Sequence, residues 1–454
     1  MAIVWAVNNG NWSNAATWSG SYIPQPGDDV FANNRTVNVD ISFEVLTLRN
    51  TSGTGITAGG SFNFNSGSIS GSVTSTSPLS AGATNLITVT ATTGSVGLTL
   101  GGNVAPRNVA SDVLILHSGN CNFNLSGSNF NGTQTSGGAN TTCISKTSAG
   151  TITIIGNING GNNPSQTANQ SLVSTNGNTV IIGNIVGGVN AGGNHRAINQ
   201  SAGTITVTGN ITGGSVASSA NLGILFTGTA ITVNGNLIGG SIAAAIDTTA
   251  PVTVTGNITG SAAAGIITTA PVIVTGSVVA QGAAPAINAG SSVVFINVSG
   301  SVISSATANA INATNASAVV NLAGNMVNTS GRTAIYCQNL FLSNTDTTTA
   351  QFVTVGSQDR TLYSADTFPN LPSASDVRFG TTYGPGSGNT GTLRMASPQD
   401  VRSGVLTDNT TGSAILSMES LSNEVQTSSD PFAQRLRNIA TVDAVGYLLT
   451  AFKK

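Results

Sequence analysis

The chain is short of charge. It has 14 Lys or Arg and 16 Asp or Glu in 454 residues, 7% in all, against roughly a quarter in an ordinary soluble domain. With a net charge of −2 it has no basic field to neutralise a phosphate backbone, so nucleic acid is not an expected partner. No run approaches the roughly 18 apolar residues of a membrane span, so membrane insertion is not expected. The three cysteines, Cys121, Cys143 and Cys337, are too few and too scattered for a disulfide framework and form no C-x-x-C pair. They are expected to be small buried residues. Lys, Glu and Leu are too scarce for a coiled coil or helix bundle. At 39% hydrophobic the chain is too apolar for a disordered acidic tail. Residues Met1 to Asn11 have neither a basic n-region nor an apolar core, so a secretory signal is not expected.

Catalytic groups are equally sparse. Between residues 60 and 355 there is no Glu, and the only Asp are Asp112, Asp247 and Asp346. Glycoside hydrolysis needs two carboxyl groups about 5 to 9.5 Å apart, and residues this far apart in sequence cannot form one site within a repeating chain. His117 and His195 have no carboxylate nearby in sequence. Each is expected to face solvent or pack between repeats. No metal-binding or phosphate-loop motif occurs, so neither cofactor nor metal is expected.

What is abundant is Gly, 56 residues, together with Val, Ile, Thr, Ser and Asn in a repeat. An alternating β-branched segment runs into Gly-Asn-Ile at Gly156, Gly183 and Gly209, and into close relatives at Gly235, Gly256, Gly276, Gly300 and Gly324. A second column keeps step with the first. In it a small residue precedes Ile or Leu, at Cys143-Ile144, Ser171-Leu172, Ala197-Ile198, Gly223-Ile224, Ala245-Ile246, Gly265-Ile266, Ala286-Ile287, Ala310-Ile311 and Ala334-Ile335. The period-two alternation excludes helix, and the repeat is too short for a propeller blade. A period near 24 residues fits one turn of a parallel β-helix with glycine at corners that need positive φ and asparagine bonding to its counterpart one turn away. The expectation is an all-β single-stranded solenoid of about 10 to 11 coils, roughly 50 Å long at about 4.8 Å per coil. The corner glycines should stack, and Ile198, Ile224, Ile246, Ile266, Ile287, Ile311 and Ile335 should form one interior column.

The ends differ in composition. All three tryptophans, Trp5, Trp12 and Trp18, lie near the start, followed by Pro24-Gln-Pro26-Gly27-Asp28-Asp29-Val30 and Val37-Asn-Val39-Asp40. This W-x-x-x-x-T-W, P-x-x-G-D-x-V and V-x-V-D rhythm resembles the opening of a G8 domain. The resemblance implies a β-helical module of surface and extracellular proteins and carries no catalytic residue. A cap over the first coil is the expected role. Near the other end Asp376-Val377-Arg378-Phe379-Gly380 returns as Asp400-Val401-Arg402-Ser403-Gly404, with Thr381-Thr382-Tyr383-Gly384 and Asp408-Asn409-Thr410-Thr411-Gly412 around it. This series resembles segments of bacteriophage tail and appendage proteins. From Asp430-Pro431, a good N-cap and first helical pair, an amphipathic helix is expected, with Phe432, Leu436 and Ile439 on one face and Leu448 and Phe452 beyond.

The expected organisation is a G8-like cap over residues 1–50, a parallel β-helix over 51–350, a polar β and loop region over 351–428, and a helix over 429–454. The expected interface residues are Arg378, Tyr383, Arg402, Phe432, Leu436, Ile439, Leu448 and Phe452, because Arg and aromatics are enriched at interface hot spots. The two resemblances imply a non-enzymatic structural protein of a phage virion: a fibre, spike or decoration subunit assembled in the host cytoplasm. Its implied partners are other virion proteins, host-surface polysaccharide and copies of itself, three by family analogy. The alternatives are a bacterial or archaeal surface adhesin or filament subunit, and a polysaccharide depolymerase whose site is shared between subunits.

Overall fold

A computed structural model describes residues 2–81, 85–105, 112–132, 141–160, 169–188, 196–214, 221–292, 294–304, 308–328, 333–342, 351–355 and 358–362, with short stretches between 375 and 411. Among the described residues the protein is all-β with about 2% helix, and its parallel sheets form a solenoid of about 11 turns, as the repeat implies. The chain divides into two compact units, residues 1–362 and 363–454.

The solenoid has three faces, and each turn pairs in parallel with the turns before and after it. On the first face the register runs Val37, Phe62, Ile87, Ile115, Ile144, Leu172, Ile198, and on through Ile224, Ile246, Ile266, Ile287, Ile311 and Ile335. Every member is fully buried. The expected isoleucine column is therefore interior, and it extends into the first 40 residues. The small residue before each isoleucine has a steric cause. A Cβ on Gly223 would lie 2.8 Å from Ile211 Cγ2, and one on Gly265 would lie 2.5 Å from Ile258 Cγ2. Cys143 occupies this slot and is buried.

The second face alternates strictly. Ile205 and Val207, Ile231 and Val233, Val252 and Val254, and Val272 and Val274 point inward, while the residues between them point out. Period-two alternation of β-branched residues produces this half-buried surface. The third face consists of short strands just past the corner, such as Ile211–Thr212 and Ile258–Gly260, whose first residue is buried.

The corner between the second and third faces is the glycine column. A Cβ on Gly183, Gly209, Gly235, Gly256, Gly276, Gly300 or Gly324 would fall 2.0 to 2.3 Å from the carbonyl oxygen of the glycine one turn before. The stacking is as expected, but the expected cause, positive φ, holds for only part of the column. Only Gly156, Gly183 and Gly209 have positive φ, at 147°, 155° and 147°. For the later turns it is close backbone approach, not dihedral freedom, that requires glycine.

Next to the glycines runs an asparagine ladder. The N–H of Asn184 donates to Asn157 Oδ1 (3.0 Å), that of Asn210 to Asn184 Oδ1 (2.9 Å), that of Asn236 to Asn210 Oδ1 (2.9 Å) and that of Asn257 to Asn236 Oδ1 (2.9 Å). The N–H of Ser277 continues it to Asn257 Oδ1 at 2.7 Å. Each amide satisfies a corner N–H that the turn leaves without a strand partner.

At the N-terminal end the core becomes aromatic. Trp12 and Trp18 are buried and meet edge-on at 4.9 Å, while Trp12 stacks on Phe43 at 4.3 Å. Trp18 Nε1 donates to the Trp12 carbonyl at 2.8 Å. The buried Asp28 accepts from the N–H groups of Ala2 (2.7 Å) and Gln25 (3.0 Å), and Asp40 accepts from the N–H of Ser13 (2.9 Å). At the other end strand Thr333–Cys337 pairs with Gln351–Val355, which turns back as the antiparallel strand Gln358–Leu362. The second unit contains two short antiparallel pairs, Thr382–Tyr383 with Asn389–Thr390 and Leu406–Thr407 with Thr410–Thr411. The expected helix over 429–454 lies outside the described residues.

Candidate functional site

Of the expected interface residues, Tyr383 lies on the strand Thr382–Tyr383. Arg378, Arg402, Phe432, Leu436, Ile439, Leu448 and Phe452 lie outside the described residues.

The titratable groups of the solenoid are dispersed or serve the fold. Among the described residues no three of His, Cys, Asp and Glu come together. Asp247 points outward from the first face. Burial raises its pKa while the Arg196 guanidinium pulls it down. Burial likewise lowers the pKa of Arg196, and Asp247 opposes that shift.

His117 and Lys146 occupy an inward column on the first face. Its register is His117, Lys146, Ser174, Gln200, Phe226, Thr248, Thr268, and all are buried. Lys146 Nζ donates to the carbonyls of Ser148 (2.6 Å) and Asn176. Gln200 Nε2 donates to the carbonyls of Ala202 (2.7 Å) and Thr204 (3.1 Å). These side chains satisfy turn carbonyls that would otherwise be buried without partners. Burial drives Lys146 down to about 8, and burial plus the neighbouring Lys146 charge drives His117 down to about 4. Burial pushes the Cys143 thiol far up and that of Cys337 up to about 12, so both are weak nucleophiles.

The outward surface is a set of ladders. On the first face Asn199, Leu225, Asp247, Ile267, Asn288, Asn312 and Tyr336 follow one another in register. The second face presents Thr206, Thr232, Thr253, Ile273, Asn297, Asn321 and Phe341. The third presents Val186, Thr212, Ile238, Thr259, Val279, Ile303 and Val327. Asp247 is the one charged residue in these three columns. Such a surface offers many weak hydroxyl and amide contacts repeated about every 4.8 Å, with exposed apolar points at Ile238, Ile273 and Phe341.

A concavity breaks this regularity. An open groove of about 370 Å³ near the N-terminal end is lined by Trp12, Ile23, Pro24, Pro26, Ile41 and Phe43, with the polar Gln25, Ser42 and Glu44. Sequence reasoning missed it, because its walls come from segments with no repeat partner. Comparison with known protein families, curated proteins and solved structures finds no match.

Proposed function

We propose that the protein is a passive rod: a non-enzymatic structural subunit of a phage virion, acting as a fibre, spike or decoration protein. The observation that carries this reading is the stack of about 11 turns, whose outward columns repeat mostly polar and aliphatic residues, with Asp247 the one charge among those named. An array of this kind provides length, stiffness and multiple weak contacts, of the sort that host-surface polysaccharide offers hydroxyls for. The tail-like D-V-R-x-G repeat at Arg378 and Arg402 supports placement on a virion, and the G8-like start supports a role outside the cell. In this reading copies of the chain associate, three in number, and the region from Gln351 onward attaches them to other virion proteins. The particle forms in the host cytoplasm and acts outside it.

The test is quantitative mass spectrometry on purified virions and on cell-envelope fractions of the same culture. Peptides of this chain in virions, at a fixed copy number relative to the capsid protein, are the expected result. Peptides confined to the envelope fraction would overturn the assignment in favour of a cellular adhesin or filament subunit.

A further inference from the structure

Among the described residues the first strand of each face has no turn before it, and the outer edge of such a strand is either covered or open to pairing. At the N-terminal end two of the three leading strands are covered by the segment that carries Trp12 and Trp18. Beside strand Ile3–Trp5, the Trp5 N–H donates to Ser19 Oγ at 3.2 Å, and the next residue, Ala6, bridges to Trp18. Beside strand Gly10–Asn11, Thr17 Oγ1 donates to the Asn11 carbonyl at 2.9 Å. Among the described residues, the leading strand of the second face, Phe43–Val45, pairs with Ile69–Val73 alone.

Its free edge can be assigned from the ladder. The Val45 carbonyl accepts from the Thr74 N–H at 3.0 Å, so Val45 directs its backbone groups toward the following turn. Neighbouring residues of a strand direct theirs to opposite sides. The N–H and C=O of Glu44 therefore point away from the stack. The groove runs along this strand, since Ser42, Phe43 and Glu44 all line it.

We propose that this groove is a strand-addition site, in which an extended segment of a partner protein pairs with the open edge of Phe43–Val45. Main-chain bonds to Glu44 would supply the anchoring, and alternate side chains of the incoming strand would supply the selection. Inward side chains would meet Phe43 and the buried Trp12, so they should be apolar. The outward side chain would meet the exposed Glu44, the one charged residue lining the groove, so it should be basic. The partner is thus an extended protein segment alternating apolar and basic residues. This inference goes beyond the virion assignment and does not depend on it.

The test uses the full chain and a labelled peptide, acetyl-Thr-Val-Lys-Val-Thr-amide, followed by fluorescence anisotropy. Saturable binding is expected, with protection of the Glu44 amide from hydrogen exchange on the wild-type protein. Glu44→Pro removes the outward N–H, a change that an edge position tolerates. It should weaken binding at least tenfold while leaving the thermal melt unchanged. Glu44→Gln keeps the backbone and should weaken binding two- to threefold. Absence of saturable binding to the wild type, equal binding of a peptide N-methylated along its backbone, or an unprotected Glu44 amide would each overturn the proposal. So would sedimentation showing that the wild type self-associates through this edge and that Glu44→Pro abolishes it, since the occupant would then be a second copy. The exchange measurement needs no variant and decides the matter even if Glu44→Pro does not fold.

Discussion

The repeated turns after Ile152 and the first 50 residues solve the same problem by opposite means. In the repeated turns every constraint recurs: one glycine against the glycine before it, one asparagine bonding to the next, one isoleucine on another. No single contact is special, and each turn is held by its two neighbours. In the first 50 residues nothing recurs. Trp12 meets Trp18 and Phe43, Asp28 gathers the N–H groups of Ala2 and Gln25, and Asp40 holds Ser13. A turn with a neighbour on only one side lacks half of its stacking and needs large aromatics and charged hydrogen bonds instead. Repetition stabilises the middle of a solenoid, and singular contacts stabilise its end.

This contrast can be broken at its strongest point. Gly235→Val should be the most damaging single change, costing about 4 kcal/mol or more, because the new Cβ would lie 2.0 Å from the Gly209 carbonyl oxygen. Gly20 has φ +66° but nothing within 4 Å of an added Cβ, so Gly20→Ala should cost only about 1 kcal/mol. Chemical melts of the two variants separate close approach from dihedral strain. Equal losses would show that the stacking explanation is wrong. Trp12→Ala comes next, at about 3 to 5 kcal/mol, with hydrogen exchange accelerated chiefly at the N-terminal end. Ile246→Ala should cost about 2 to 5 kcal/mol, with faster exchange confined to the turns on either side. Exchange rising evenly along the whole chain would contradict stabilisation by nearest neighbours.

A pH titration gives a smaller effect inside the repeated region. His117 has its pKa lowered from 6.5 to about 4, so between those values the unfolded chain binds the extra proton. Stability should be level above pH 6.5 and fall as the pH drops toward 4, by on the order of 3 kcal/mol. His117→Gln should flatten that slope. Lys146, lowered from 10.5 to about 8, acts at the other end. Its burial penalty is complete below pH 8 and is relieved as the pH rises toward 10.5. The smallest change is Asn236→Ala. It removes one rung, the acceptor for the Asn257 N–H, and should cost about 1 kcal/mol in the same melts.

How much of this was legible in the sequence follows the same division. The interior column from Ile198 to Ile335 and the glycine stack could be read because each turn states the same rule again. The inward polar column was equally regular but went unread. His117, Lys146, Ser174 and Gln200 each stand two residues after a core Ile or Leu, at Ile115, Ile144, Leu172 and Ile198. That constant offset was the available signal. Polar residues are ordinarily assigned outward, and only the geometry shows that these satisfy turn carbonyls. Positive φ accounts for Gly156, Gly183 and Gly209 but not for the later glycines, because sequence cannot distinguish a dihedral requirement from a near collision with the turn before. The groove beside Glu44 left no trace at all, since Ile23, Pro24 and Pro26 acquire meaning only when the fold brings them beside Phe43–Val45.

The backbone bonds between turns run along the axis of the solenoid, and this sets its mechanical behaviour. A load applied to the two chain ends cannot strain every turn together. It acts on the outermost turn, whose bonds peel away in sequence while the next turn stays intact. With steps averaging 24 residues between Gly156 and Gly324, each failure would release about 80 Å of extended chain. Extension would then advance in sawtooth steps of nearly constant length, and the rod would absorb a sudden pull by lengthening turn by turn instead of snapping.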